Sequence, residues 1–215
     1  MSCDFSLTHY RELLEAAKAG GYRFSSFERP PEAGDLLLRH DVDLSLGAAV
    51  KMAEVEAELG ARSTWFLMTR SVFYNLRSKE GEQAFSQLRA CGGWIAHHAL
   101  WPHLDLDEDL GFEPVVAWHN PEPDYMREPV VGAQNVMAAP FFEQEHYRSY
   151  SNQHWRHGCP HEGLERGEFA WLQLLVHPEI WVYDGATMGE TMRSFLDVDR
   201  NARLEQLRAD RIDLE

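Results

Sequence analysis

The 215-residue chain has no apolar run of about 18 residues, the length a bilayer span requires, and no basic-then-apolar leader. A membrane partner is therefore not expected. Cysteine is scarce: Cys3, Cys91 and Cys159 are odd in number and widely spaced, which suits free thiols in a reducing cytosol better than a disulfide framework. Basic residues are also few, 20 against 35 acidic, for a net charge of −15. That balance disfavours nucleic acid, whose phosphates attract basic surfaces. A Gly-rich phosphate loop, a dinucleotide fingerprint and a nucleophile elbow are all missing, which argues against nucleotide-dependent transfer, hydride transfer and Ser-His-Asp hydrolysis. No internal repeat or low-complexity tract is present. The composition predicts a soluble cytoplasmic protein.

What is present argues for a folded core. The apolar fraction is 44% and there are seven Trp, so a single domain over 1–215 is expected. The stretch 36–43, LLLRHDVD, follows turn-forming Pro30-Pro31 and Gly34-Asp35 and reads as a strand buried on both faces. Before it, Tyr10, Leu13, Leu14 and Ala17 repeat at helical spacing up to Gly20-Gly21. After it, Ser45 caps a helix with the stripe Leu46, Ala49, Val50, Ala53 and Ala57, ended by Gly60. Strands are then expected at 63–69, 94–96, 114–118, 130–138 and 169–176, with a helix near 82–90 and an irregular region over 144–167. A C-terminal helix from about 187 to 212 opens on a capping box, Thr187 and Glu190, and packs outside through Met192, Phe195 and Leu196.

Apolar strands alternating with helices predict a parallel α/β sheet or barrel. Four strands run into polar residues: His40, Asp41 and Asp43; His97 and His98; His119; and His177. Parallel α/β folds place their sites at the carboxyl ends of strands, so these groups are expected to converge. Asp41 and Asp43 share a face at period two, and such a pair can divide metal binding from proton transfer. His97, His98 and His103 cluster after one strand, and neutral imidazole is a common zinc ligand; the spacing does not decide which of them binds. The acidic run 104–111 has its glycine and its last ligand position wrong for a calcium loop and reads as a solvated turn. His154, His157, Cys159 and His161 have zinc-knot chemistry in a loop too short for paired knuckles.

RHDVD at 39–43, STWFLMT with Tyr74-Asn75, HHALWPH, AWHNPEP, NQHWR and LLVHPEIW together resemble the polysaccharide deacetylase family of the NodB-homology (carbohydrate esterase 4) type, in its intracellular HDVD branch. The resemblance implies a distorted (β/α) barrel of about seven parallel strands, with a divalent metal, most simply Zn2+, in a groove at the carboxyl end. It implies Asp41 as the base that activates water, Asp43 as a metal ligand and His177 as the general acid. The family's H-x-x-x-H metal pair has no counterpart of that spacing, so His98 and His103 are taken as the ligands with one residue inserted. Arg39, Tyr74, His119 and Arg156 are then expected to line the substrate groove. Tyr150 stands where the branch carries an Asp. The expected activity is metal-dependent hydrolysis of a carbon–nitrogen amide bond, deacetylating a soluble N-acetylated sugar or related small molecule. The rival expectation is a weakened barrel that binds carbohydrate without cleaving it.

Overall fold

The computed structural model describes residues 3–104 and 108–213, so part of the acidic run at 104–111 lies outside the described residues. Among the described residues there are ten strands: β1 (Arg23–Phe24), β2 (Asp35–Val42), β3 (Thr64–Leu67), β4 (Trp94–Leu100), β5 (Val115–His119), β6 (Gln134–Asn135), β7 (Tyr147–Arg148), β8 (Tyr150–Ser151), β9 (His154–Trp155) and β10 (Leu172–Val176). The helices are α1 (Leu7–Ala19), α2 (Leu46–Leu59), α3 (Lys79–Ala90), α4 (His161–Glu165), α5 (Pro178–Val182) and α6 (Met188–Ala209).

Seven strands form one parallel sheet in the order β6-β5-β4-β3-β2-β10-β7, with β1 added along the start of β2. The sheet curls into a half-barrel flanked by helices, a distorted (β/α) barrel. Strand β2 is its centre: all eight of its residues are buried, as a strand covered on both faces requires. Period-two alternation then sorts its side chains. Leu36, Leu38 and Val42 join the core under the helices with Tyr10, Leu13, Met52 and Trp65, whereas Leu37 joins Phe27, Phe66, Ala96 and Phe141 on the inner face. By the same alternation Arg39, Asp41 and Asp43 face inward, and His40 faces the helices.

Local signals set the helix ends. Ser6, Ser45, Ser78 and Thr187 each accept the backbone N–H three residues on. Gly60 ends α2 at φ 65°, a left-handed conformation that favours glycine. Gly20 ends α1 where a Cβ would collide with the Leu164 carbonyl, so its lack of a side chain lets α1 and α4 meet.

Several boundaries differ from expectation. Strand β4 runs on to Leu100, so His97 and His98 lie within it and not beyond its end. The expected strand over 130–138 shortens to Gln134–Asn135, and the region taken as irregular holds β7, the antiparallel β8–β9 pair and α4. Two-residue strands carry no periodicity, and they pair here because neighbouring backbone offers free donors and acceptors. Helix α6 buries Thr191 and Phe195, but Leu196 is 53% exposed, so the expected Met192–Phe195–Leu196 contact is corrected to a narrower stripe. No helix among the described residues is long and apolar enough to cross a membrane.

Candidate metal centre

Three donor atoms, from Asp43 just past β2, His98 within β4 and His119 at the end of β5, meet on the inner face. His98 Nε2 lies 2.9 Å from Asp43 Oδ1, His119 Nδ1 lies 3.1 Å from the same oxygen, and the two nitrogens are 3.2 Å apart. A tetrahedral ion with bonds of about 2.0–2.2 Å holds its ligands roughly 3.3–3.5 Å from one another, so this triangle is close to that of a cation seat. The group is one of several His, Cys, Asp and Glu clusters in the fold that could hold a metal ion.

The strands aim these atoms. Register pairs His98 with Ala117 and Leu100 with His119, which puts His119 two residues further along β5 on the same face. His98 Nδ1 lies 2.9 Å from the Ala117 carbonyl and donates to it, leaving Nε2 as the atom that faces the site. With Nδ1–H so committed, Nε2 can donate to Asp43 only if the ring is an imidazolium; otherwise its lone pair faces a cation. Local electrostatics favour positive charge there. Burial alone would push the His98 pKa down, but the charges of Asp41 and Asp43 and the bond to Asp43 carry it above the ordinary value. Burial would likewise raise Asp43, yet bonds to His119 and His98 hold it well below the usual carboxylate range. The side chains of Asp43 and His119 are 20% and 26% exposed, so the centre opens to solvent, while His98 is sealed at 1%.

Next to the centre, Asp41 takes both arms of the Arg39 fork, Nε to Oδ1 at 2.7 Å and Nη2 to Oδ2 at 2.6 Å. Burial opposes ionisation of Asp41, but the Arg39 charge outweighs it and lowers the pKa. Asp41 Oδ2 is 4.0 Å from His98 Nε2, which places this carboxylate beside the triangle. His177 follows β10, the other neighbour of β2. Burial lowers its pKa, only partly offset by Asp43 and Asp41, and its Nδ1 has no hydrogen-bond partner among the described residues.

The expected convergence, ligand set and groove are redrawn at His103, Arg39, Tyr74 and His40. His103 sits in the turn after β4, exposed, and its donor atoms are not in the triangle; His119 takes the place given to it. Arg39 is 1% exposed with its donors on Asp41 and Gln173, so it braces the carboxylate instead of meeting a substrate. The Tyr74 hydroxyl donates to the Val42 carbonyl at 2.7 Å and accepts the Met68 N–H at 2.8 Å; it ties β2 to the end of β3. His40 lies on the other face, 2.6 Å from Glu56. Arg156 is exposed and close enough to the Tyr147 phenol to act on it, as Arg39 and Asp41 also do.

One neighbour escapes sequence reasoning, and a second, Tyr150, has a role that the sequence does not show. Glu179, 2% exposed, has its pKa pushed well above the usual carboxylate value by burial and by the Asp43 charge, which favours its neutral form. Its position in HPE, at the start of α5 behind a strand end, is the only signal it leaves. Tyr150 accepts the His177 N–H at 2.6 Å and the Trp181 Nε1–H at 2.9 Å, anchoring the backbone that carries His177. A phenol serves there where an Asp was expected, because the partners are two N–H donors in an apolar pocket. A cleft of about 1010 Å3 between α2, α3 and α6 contains none of the triangle. No family model, curated protein or solved structure matches this chain.

Proposed function

We propose that this chain is a metal-dependent hydrolase of carbon–nitrogen amide bonds, removing an acyl group from a soluble N-acetylated sugar or a related small molecule. The observation that carries the proposal is the triangle of Asp43, His98 and His119 donors, all within 3.2 Å of one another and flanked by Asp41 and His177. One carboxylate and two imidazoles, with a water-accessible side, match the ligand chemistry of catalytic zinc, so Zn2+ is the proposed ion. When bound, such an ion supplies Lewis acidity, polarising an acyl carbonyl and acidifying water.

The chain's own residues do the rest. Asp41, fixed by Arg39, receives a proton from the attacking water. The Arg39 pair weakens it as a base, but it also holds the acceptor oxygens in one geometry. His177 delivers a proton to the departing nitrogen, without which an amine is a poor leaving group. Its lowered pKa leaves it neutral at rest, so the proton it delivers is the one that Asp41 has taken from the attacking water. Burial favours the neutral form of Glu179, which in that form can supply a hydrogen bond without adding charge. Substrate would enter over the exposed side of Asp43 and His119.

The lock on Asp41 also favours the second reading, a barrel that binds carbohydrate without cleaving it. Release of acetate from a panel of N-acetyl sugars and small amides by zinc-loaded protein separates the two. Turnover that disappears in Asp41→Asn with metal content intact supports the hydrolase. Saturable sugar binding without acetate release would leave the binding module.

A further inference from the structure

A second set of metal-binding side chains meets where the N-terminal segment, α1 and the turn before α4 come together. Cys3, His9 and Cys159 bring their donor atoms within 4.8 Å of one another. His9 Nε2 lies 3.3 Å from Cys159 Sγ, and the Trp155 indole N–H donates to Cys3 Sγ at 2.9 Å. Zinc bound tetrahedrally to sulfur at about 2.3 Å and to nitrogen at about 2.0 Å spaces these donors roughly 3.5–3.8 Å apart, a small adjustment from this geometry.

The surroundings orient the set as a metal site requires. His9 is 6% exposed, and its Nδ1 lies 3.0 Å from Glu12 Oε2. Donation from Nδ1–H to that carboxylate leaves the Nε2 lone pair facing the sulfurs, the carboxylate–histidine arrangement that orients metal ligands. A second, independent observation comes from His161. Its ring stacks on His9 at 5.5 Å, and its buried Nδ1 has no hydrogen-bond partner among the described residues. A cleft of about 440 Å3 adjoins all four residues and leaves room for the ring to turn.

We propose that Cys3, His9 and Cys159 form a second metal site, for a thiophilic divalent cation such as zinc, with His161 closing the fourth position. Two sulfurs and imidazole select zinc over magnesium or calcium, and binding releases the two thiol protons. The four residues with zinc-knot chemistry do not form one site among themselves. His154 and His157 are exposed, and His154 Nδ1 is taken by the Asn152 carbonyl, so Cys159 and His161 find their partners in the N-terminal segment. The ion would clamp that segment to the turn before α4. This site shares no ligand with the Asp43 centre and stands or falls without it.

The test uses the full chain loaded with Co2+, whose bonds to thiolate give a charge-transfer absorption in the near ultraviolet that imidazole and carboxylate ligands do not. Wild type should show the band. Cys3→Ser and Cys159→Ser should each lose about half of it, and His119→Ala should keep it in full. Cys3 lies outside every helix and strand, so its variant retains the test if Cys159→Ser fails to fold. In zinc-loaded protein only the Cys91 thiol should react quickly, with all three reacting once a chelator is added. Absence of the band in wild type would overturn the site. So would a Cys3–Cys159 disulfide in protein isolated without added oxidant, or a band unchanged in both Ser variants, which would place the thiolate at Cys91.

Discussion

Strand β2 carries a histidine–carboxylate cluster on each face, and the two differ in what is left over. Under the helices, Glu56 collects His40 Nε2 at 2.6 Å, the Tyr10 hydroxyl at 2.5 Å and the Ser63 hydroxyl at 2.5 Å, with the His40 ring stacked on Trp65. Both Glu56 oxygens are satisfied and the group is shut off from water. On the inner face, one oxygen of Asp43 faces two imidazole nitrogens and the group is open to solvent. A buried carboxylate with three donors on its two oxygens and no access to solvent is a brace, even though His40 Nδ1 beside it has no partner among the described residues. Two imidazole nitrogens crowded on one solvent-open carboxylate oxygen are instead a donor set whose protons a cation could displace.

The largest expected effect tests the inner cluster. Asp41→Asn should lower amide turnover by about 10²–10⁴-fold with metal content per chain unchanged. The same change strips Arg39 of its buried counter-charge, so a fall in Tm should accompany it. Full amide activity in this variant would remove the mechanism. Next in size is the brace. Glu56→Ala leaves three buried donors unmatched and should cost about 3–5 kcal/mol in urea unfolding, while the folded fraction keeps its metal. Loss of metal without loss of stability would reverse the contrast between the faces.

A substitution pair sharpens the ligand assignment. His119→Ala should abolish metal retention at the inner centre, and His103→Ala should change it by less than about twofold, as read by equilibrium dialysis with zinc. The opposite ranking would restore the sequence-based assignment. Smaller again is His177→Ala, which should spare activated phenyl esters more than amides because their leaving group needs no proton. Equal loss on both would make His177 structural.

The smallest effect concerns Asp35 at the foot of β2. Burial would raise its pKa, but the Glu32 N–H, Arg29, Ser25 and Arg23 hold it down to about 2. A carboxylate lowered on folding stabilises fully above its unfolded value of about 4, and that stability is lost as pH falls towards 2. Asp35→Asn should therefore remove about 1–2 kcal/mol at pH 6 and less at pH 3, discounted for the exposed arginines. Equal destabilisation at both values would refute the linkage.

What the sequence discloses follows from which interactions are local. LLLRHDVD announces a doubly buried strand, and its alternation alone separates Arg39, Asp41 and Asp43 from His40. The parallel class follows from apolar strands alternating with helices. The His119 assignment needs the β4–β5 register, which is fixed by cross-strand pairing and leaves no trace in spacing. His103 is near His98 along the chain, yet the turn at Trp101-Pro102 carries it out to solvent. Cys3 and Cys159 are brought together only when the N-terminal segment docks against the turn before α4, an event no local pattern encodes.

The pairing of β2 with β10 carries a further consequence, for the order in which the protein can form. Leu36 lies beside Leu172, and Arg39 reaches Gln173, so one flank of the central strand waits for residues far along the chain. At synthesis rates of about 5–20 residues per second, that wait is on the order of ten seconds. Through it, a strand of three leucines stands with an unpaired edge, and Arg39 and Asp41 have only each other. Closure of this long-range pair is the step expected to limit folding, and newly made chains are most open to aggregation just before it.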